Sequence, residues 1–362
     1  MEREAAGQHH GLGKNKMALA PAIIVSLLLL AFASSCSAAT STKTSRATSA
    51  KASTTTTTPD PGLALERDFV RVVKTIRPSV VETSTSTGLG SGVIYDTKGD
   101  IVTNAHVVGD ATSFTVSLSN GRRLTGRLIG LFAPDDLAVI RVSPANGLKA
   151  ARFGNSSSLE VGDIVLAVGN PLGLSSSVTD GIVSFNGRDV SEGNGVVLAD
   201  LVQTSAAINP GNSGGALVSL SSQVIGIPTL AATNGSSAAA GLGFAIPSNT
   251  VKLIASQLIA NGKVTTAGRA ALGINGATAV SFAGEAIGVA VTAVQANGAA
   301  EKAGIVVGDL ITAINGTATR EFTELQTVLA RLKPATRATV SVTKSDGTQH
   351  QLTVVLADLA SS

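Results

Sequence analysis

The sequence predicts a mostly β protein made of two folded units with tails, and three observations carry that expectation. Its 362 residues exceed one average domain. Only 14% of them are charged, while 39 are glycine and none is tryptophan, a balance that suits strands joined by tight turns better than helical bundles. Short apolar β-prone runs recur between turn signals, as in Ile101-Val102-Thr103, Thr115-Val116-Ser117-Leu118 and Ile164-Val165-Leu166-Ala167-Val168. The formal charge of +3 carries no nucleic-acid signature, because no basic run is interleaved with aromatics.

The first 16 residues are polar and end in Lys14-Asn15-Lys16, and no charge occurs from Met17 to Thr42. Within that window Ala18 to Ala33 is the apolar heart, readable as an export signal or a single membrane anchor. The only cysteine, Cys36, follows in Ala33-Ser34-Ser35-Cys36, a pattern similar to a bacterial lipoprotein signal. Three readings stay open: a lipidated N-terminus, an uncleaved anchor, or a cysteine without a role. With no second cysteine the fold has no internal disulfide. Residues 1–36 are thus a tail and apolar segment. Residues 37–64, rich in Ser, Thr, Ala and Lys and ending in Pro59-Asp60-Pro61-Gly62, are expected to be a flexible stalk.

Apolar residues at 65, 69, 72, 73 and 76 have a helical period that Arg77-Pro78 stops. Strands follow at Ser79-Val80-Val81-Glu82-Thr83 and Gly90-Ser91-Gly92-Val93-Ile94-Tyr95. The chemistry concentrates in Ile208-Asn209-Pro210-Gly211-Asn212-Ser213-Gly214-Gly215-Ala216-Leu217-Val218, a serine between glycines entered from a tight turn and left by an apolar run. Serine is a weak nucleophile alone and needs a base and a group to orient that base. Of four histidines, His9 and His10 precede the apolar segment and His350 lies near the C-terminus, leaving His106 at the end of an apolar strand. A carboxylate follows in Pro134-Asp135-Asp136-Leu137, again at the mouth of an apolar run. The order His, Asp, Ser opposes the Ser-Asp-His order of α/β-hydrolases, as does the turn into a strand after Ser213.

The blocks Thr103-Asn104-Ala105-His106-Val107-Val108, Asp136-Leu137-Ala138-Val139, Asn209-Pro210-Gly211-Asn212-Ser213-Gly214-Gly215 and Gly241-Leu242-Gly243-Phe244-Ala245-Ile246-Pro247 resemble the trypsin-like serine proteases of the HtrA (Deg) family. The resemblance implies a chymotrypsin-like double β-barrel over residues 65–250, the first barrel ending near residue 150. It implies His106 as base, Asp136 rather than Asp135 as acid, and Ser213 as nucleophile. The N–H groups of Gly211 and Ser213 are then the expected oxyanion hole. Also by resemblance, Ala207, Ile208, Ile227, Leu242, Gly243 and Phe244 bound the primary pocket. No acidic residue stands there, so small or medium aliphatic residues are the expected cleavage sites. Pro228 replaces the family's usual Asn in a strand that pairs with substrate, and removes a donor.

Beyond Pro247, Ser248 is an N-cap candidate for a helix that Asn261-Gly262 ends, so residues 251–270 read as a connecting helix with a hinge over 263–270. Residues 271–358 contain Gly308-Asp309-Leu310-Ile311 and Ile314-Asn315-Gly316 and resemble a PDZ domain, a β-sandwich or partial barrel with helices. That likeness implies that Leu272-Gly273-Ile274 receives the carboxylate of a C-terminal peptide.

The combined expectation is a serine endopeptidase acting on unfolded or damaged proteins of the cell envelope. It would be membrane-attached or secreted, with its PDZ domain binding C-terminal peptides, and assembled as a homo-oligomer, a trimer by family resemblance. Its chemistry calls for no cofactor and no metal, and no nucleic acid is expected. The alternative is a chaperone or scaffold that uses the same cleft without cutting.

Overall fold

Asp60 and Pro61 start the first helix earlier than the apolar periodicity suggests. In the computed structural model, which describes residues 60–85, 88–143, 147–170, 177–191, 196–209, 211–234 and 237–360 (backbone only at 230–234 and 237–240), helix α1 spans Pro61–Ile76. The Asp60 side chain accepts from Gly62 N at 2.9 Å and proline occupies the first turn, so a capping signal lay inside what the sequence reading took as the end of the stalk. The rest of that stalk, Cys36 and the apolar segment lie outside the described residues. Among the described residues no helix is long and apolar enough to cross a membrane.

The first closed barrel comprises β1 (Val80–Ser84), β2 (Leu89–Ile94), β3 (Asp100–Thr103), β4 (Ser113–Ser117), β5 (Arg123–Phe132) and β6 (Leu137–Val142), paired in the order β1-β2-β3-β6-β5-β4. A helical turn, α2 (Ala105–Val108), follows β3. The second barrel comprises β7 (Ile164–Gly169), β8 (Ser177–Ser191), β9 (Val197–Thr204), β10 (Ala216–Ser219), β11 (Val224–Asn234) and β12 (Ser237–Pro247), ordered β10-β11-β12-β9-β8-β7.

Alternation along the strands sorts side chains into two kinds of core. Val81, Ile94, Ile101, Ala138 and Ile140 fill the first barrel, and Val165, Ala167 and Leu217 fill the second. Their neighbours Val80, Val93, Val102, Val139, Leu166, Val168, Ala216 and Val218 join Val72 and Ile76 of α1 in one cluster shared by both barrels. Both faces of these strands are therefore buried, which is why they read as continuous apolar runs.

Helix α3 (Ser248–Asn261) adds Val251, Ile254, Ala255 and Leu258 to the shared cluster and ends at Gly262, whose φ of 70° forms the C-cap. Ser248 does not cap it. Pro247 holds the cap position, and the buried Ser248 hydroxyl donates to the Gly154 carbonyl at 3.1 Å. The following segment, expected as a hinge, is stitched on both sides. Gln257 Oε1 accepts from Thr265 N and Thr266 N at 3.0 Å, and Asp358 Oδ1 accepts from Ala267 N and Gly268 N at 2.8 and 2.9 Å.

The second unit is built on β14 (Ile274–Val280), β15 (Ala286–Val294), β16 (Leu310–Ile314), β18 (Arg337–Thr343) and β19 (Gln349–Val355), in that spatial order, with β17 (Thr317–Ala318) on β16. Strands β13 (Ala270–Ala271) and β20 (Ala357–Asp358) pair at its base. Helices α4 (Ala299–Lys302) and α5 (Phe322–Ala330) close its own core around Leu272, Val289, Ile311, Leu325 and Val340. Strand β14 is the sheet's edge and α5 packs on it. The same helix touches β8 and β9 of the second barrel, and Arg331 Nε donates to Asp189 Oδ2 at 3.2 Å.

Candidate active site

His106 and Asp136 come from the first barrel and Ser213 from the second. Strand β3 ends in Thr103, and α2 turns His106 back over the chain. Asp136 ends a 3-10 turn, Ala133–Asp135, in the left-handed region (φ 48°), immediately ahead of β6. This backbone turn lets one carboxylate meet His106 twice: Oδ1 accepts from His106 N at 2.9 Å, and Oδ2 lies 2.8 Å from Nδ1. The Asp136 carbonyl also accepts from Ala105 N and from Asn104 Nδ2, locking the two segments together. Asp136 is buried, whereas the His106 ring is about half exposed.

The neighbouring Asp135 faces away from this contact. Its carboxylate pairs with Arg269 Nη1 at 2.5 Å. Burial pushes the Asp135 carboxyl above its ordinary range and the Arg269 charge only partly offsets this. Of the adjacent aspartates, only Asp136 has the geometry to orient a histidine.

Ser213 sits half-buried in the turn that feeds β10, and its hydroxyl donates to the Thr229 carbonyl at 3.3 Å. Thr229, on β11, also donates its own hydroxyl to Asp136 Oδ2 at 2.5 Å. One residue of the second barrel therefore touches both Ser213 and Asp136. Gly214 N donates to the Pro228 carbonyl at 3.0 Å. Pro228 is accommodated because the β11–β12 register breaks between Pro228 and Leu230, a place where a strand tolerates a missing donor.

Ser91 of β2 pins the nucleophile turn from the opposite barrel. Its N–H donates to the Ser213 carbonyl at 2.9 Å, and its hydroxyl donates to the Gly211 carbonyl at 2.5 Å while accepting from Asn170 N at 2.8 Å. Thr103 in turn donates to the Ser91 carbonyl at 2.7 Å. Among the described residues the N–H groups of Gly211 and Ser213 donate to no other backbone carbonyl. Gly211 has φ 99° and Gly214 φ 78°, and a Cβ on Gly214 would lie 2.2 Å from the Ser91 carbonyl oxygen. Ser91 and Thr103 are not singled out in the sequence, and Thr229 is read there only as the end of a segment, Ile225 to Thr229, expected to wall the primary pocket. Their signal is a hydroxyl on an otherwise apolar strand beside a glycine-rich or triad segment.

The expected pocket residues separate into two groups. Ile208 lies over Gly243, where an added Cβ would meet its Cγ1 at 2.5 Å, and Leu242 is 39% exposed beside them. Ala207 is exposed, and its carbonyl accepts from Thr179 Oγ1 and Asn212 Nδ2. Ile227 and Phe244, by contrast, are packed into the core shared by the barrels.

In the second unit Gly273 has φ 73°, the Leu272 carbonyl accepts from Ala300 N, and the Gly273 carbonyl accepts from Gln295 N. Because C=O and N–H of a trans peptide point oppositely, the N–H groups of Gly273 and Ile274 face away from those donors. Phe322 at the start of α5 leans toward Gly276 of β14, and its N–H donates to Thr278 Oγ1 at 3.1 Å. Among the described residues no cluster of three or more His, Cys, Asp or Glu could hold a metal ion.

Comparison with known proteins agrees with this architecture. Residues 90–227 match the trypsin-like peptidase domain model and residues 290–343 the PDZ domain model. The periplasmic serine endoprotease DegP of Escherichia coli K12 is 41% identical over 276 residues, covering 74% of this chain and 56% of that protein. Serine protease Do-like HtrB of Bacillus subtilis is 41% identical over 280 residues, covering 72% and 60%. The chain thus spans a little over half the length of the curated relatives it matches. Among solved structures, the serine endoprotease from Yersinia pestis aligns with TM-score 0.55 and 34% identity over 80% of this chain and 98% of that one. The HtrA-type protease AlgW with tripeptide aligns with TM-score 0.57 and 32% identity over 81% and 97%. A double barrel with these blocks, followed by a PDZ domain and aligned along nearly the whole of a solved serine endoprotease, places the chain in the HtrA (DegP-type) family of serine proteases.

Proposed function

We propose that the protein is a serine endopeptidase that cuts unfolded or damaged proteins outside the cytoplasmic membrane. The observation that carries this reading is the double contact of Asp136 with His106, built in the first barrel and tied through Thr229 to Ser213 of the second. In the reaction His106 takes the Ser213 proton as the oxygen attacks a peptide carbonyl, and returns it to the leaving amine. Asp136 fixes the tautomer that places the other ring nitrogen toward substrate and stabilises the imidazolium. The N–H groups of Gly211 and Ser213 receive the oxyanion, each donor contributing about 3–4 kcal/mol to the transition state. Ser213 must leave the Thr229 carbonyl to attack, which frees that carbonyl for a substrate N–H.

Ile208, Gly243 and Leu242 favour small or medium aliphatic side chains in the primary pocket. At the second unit a C-terminal peptide would add to the β14 edge, its carboxylate meeting the N–H groups of Gly273 and Ile274. Assembly into a homo-oligomer and attachment through the apolar N-terminal segment or Cys36 complete the proposal.

The test is degradation of unfolded casein by the full chain beside Ser213→Ala, with the cut sites read by mass spectrometry. Cleavage by the wild type alone, mostly after Val, Ala or Leu, is the expected outcome. Equal turnover by both chains would overturn the triad, and suppression of aggregation without any cleavage would favour the chaperone reading.

A further inference from the structure

We infer that Arg269 is a positioning residue for the proteolytic site, acting through the 3-10 turn that presents Asp136. The inference rests on the protease reading above. Arg269 belongs to neither barrel. It stands at the foot of the PDZ unit, directly before β13, where its carbonyl accepts from Leu359 N at 2.8 Å and β13 pairs with β20. Its side chain reaches into the protease. Nη1 donates to the Pro134 carbonyl at 2.7 Å and to Asp135 Oδ1 at 2.5 Å, and Nη2 donates to the Val197 carbonyl, at the start of β9, at 3.0 Å. One guanidinium thus joins the turn Ala133–Asp135, the second barrel and the segment that carries the PDZ sheet.

The turn it grips sets the site. Asp136 follows Asp135 directly, and its left-handed φ of 48° is what brings Oδ1 and Oδ2 onto His106. A non-glycine residue in that region persists only where its surroundings hold it. Within the turn itself the hold is a single backbone bond, Asp136 N to the Ala133 carbonyl at 3.0 Å. Asp136 itself is held from outside by Asn104, Ala105, His106 and Thr229, whereas the preceding residues of the turn, Pro134 and Asp135, are held by the two Arg269 contacts.

The ion pair is also poorly arranged for stability alone. Both partners are mostly buried, with side-chain exposures of 17% and 6%, yet among the described residues Arg269 Nε and Asp135 Oδ2 have no hydrogen-bond partner. An arginine serving only the pair would present its fork to both carboxylate oxygens. This one divides its donors between two carbonyls and a single oxygen, which fixes position at three points. Buried pairs of this kind contribute little net stability against apolar replacements.

The experiment uses the full chain as wild type, Ser213→Ala, Arg269→Gln, Arg269→Lys and the charge-neutral double variant Asp135→Asn/Arg269→Gln. It measures kcat and KM on unfolded casein, the labelling rate of Ser213 by a fluorophosphonate, and the melting temperature. We expect Arg269→Gln to lower kcat and labelling about 10-fold or more while KM stays within about 2-fold, as for a misplaced catalytic group. Arg269→Lys should recover part of the loss. The double variant, which leaves no buried charge uncompensated, should melt near the wild type yet stay slow, and it decides the matter if Arg269→Gln does not fold. Wild-type kcat and labelling in a double variant that melts normally would overturn the inference while leaving the protease reading intact. A wild-type chain that neither cleaves nor labels would remove both.

Discussion

Replacing Thr229 by valine removes one hydroxyl and changes almost no volume, so it isolates a single contact of the site. Thr229 Oγ1 donates to Asp136 Oδ2 at 2.5 Å, and both residues are buried. A hydrogen bond to a charged group contributes about 1.5–3 kcal/mol net. At roughly 2–4 °C per kcal/mol for a unit of a few hundred residues, the melting temperature should fall by about 3–12 °C. The carboxylate would keep His106 N on Oδ1 and Nδ1 on Oδ2, but Oδ2 would lose the donor that fixes it from the second barrel. The imidazole would then sample poorer angles toward Ser213. General-base catalysis contributes about 10²–10⁴-fold, and losing part of its alignment should lower kcat about 10-fold with KM nearly unchanged. Thr229→Ser keeps the hydroxyl and should stay within about 3-fold of wild type, since the donor survives. Calorimetry with initial rates on unfolded casein measures both effects. A Val variant with wild-type melting and wild-type kcat would refute the view that Thr229 holds the carboxylate.

Three further outcomes follow from neighbouring contacts. Ser91→Ala strands the Gly211 carbonyl and Asn170 N–H, each costing about 1–3 kcal/mol when buried, and should slow fluorophosphonate labelling of Ser213; labelling at the wild-type rate would show that the Ser91 hydroxyl does not hold the nucleophile turn. Gly214→Ala forces a Cβ to 2.2 Å from the Ser91 carbonyl oxygen at φ 78°, so the melting temperature should drop sharply or the protein should fail to fold, and normal melting would contradict the close packing of the turn. Burial, then the nearby Asp189 charge, holds the Asp200 carboxyl above its ordinary value. A raised folded-state value means that stability is fully present at acid pH and lost as pH rises through that value. Asp200→Asn, which tolerates the left-handed φ of 59°, should therefore melt higher than wild type near neutrality, with the gain fading toward pH ~4; a gain independent of pH would reject the linkage.

What the sequence made legible were residues that carry a local pattern. His106, Asp136 and Ser213 all stand where an apolar strand begins or ends, so reactive groups at strand ends mark them without knowledge of the fold. Their supports are invisible at that range. Ser91 reaches Gly211 across 120 residues, Thr229 reaches Asp136 across 93, and Arg269 reaches Asp135 across 134. No periodicity encodes those distances. Ser248 reads as a cap by its position but is captured by Gly154 from another part of the chain. The same limit explains the pocket. In a strand buried on both faces, a period of two tells which side chains share a face but not which core that face joins, and Ile227 and Phe244 join the one shared by the barrels. At Asp60 a local signal outweighs composition: its cap and the following proline start α1 directly after a Ser- and Thr-rich run. The choice between Asp135 and Asp136 combines both lessons. Adjacent carboxylates on one turn must diverge, because consecutive side chains cannot share a direction there. The left-handed φ sends Asp136 to His106, and the other carboxylate, forced into the interior, needs a cation from elsewhere in the chain. Arg269 supplies it from the segment that leads into the PDZ unit, so the turn that presents Asp136 to His106 is also the turn that carries this buried ion pair.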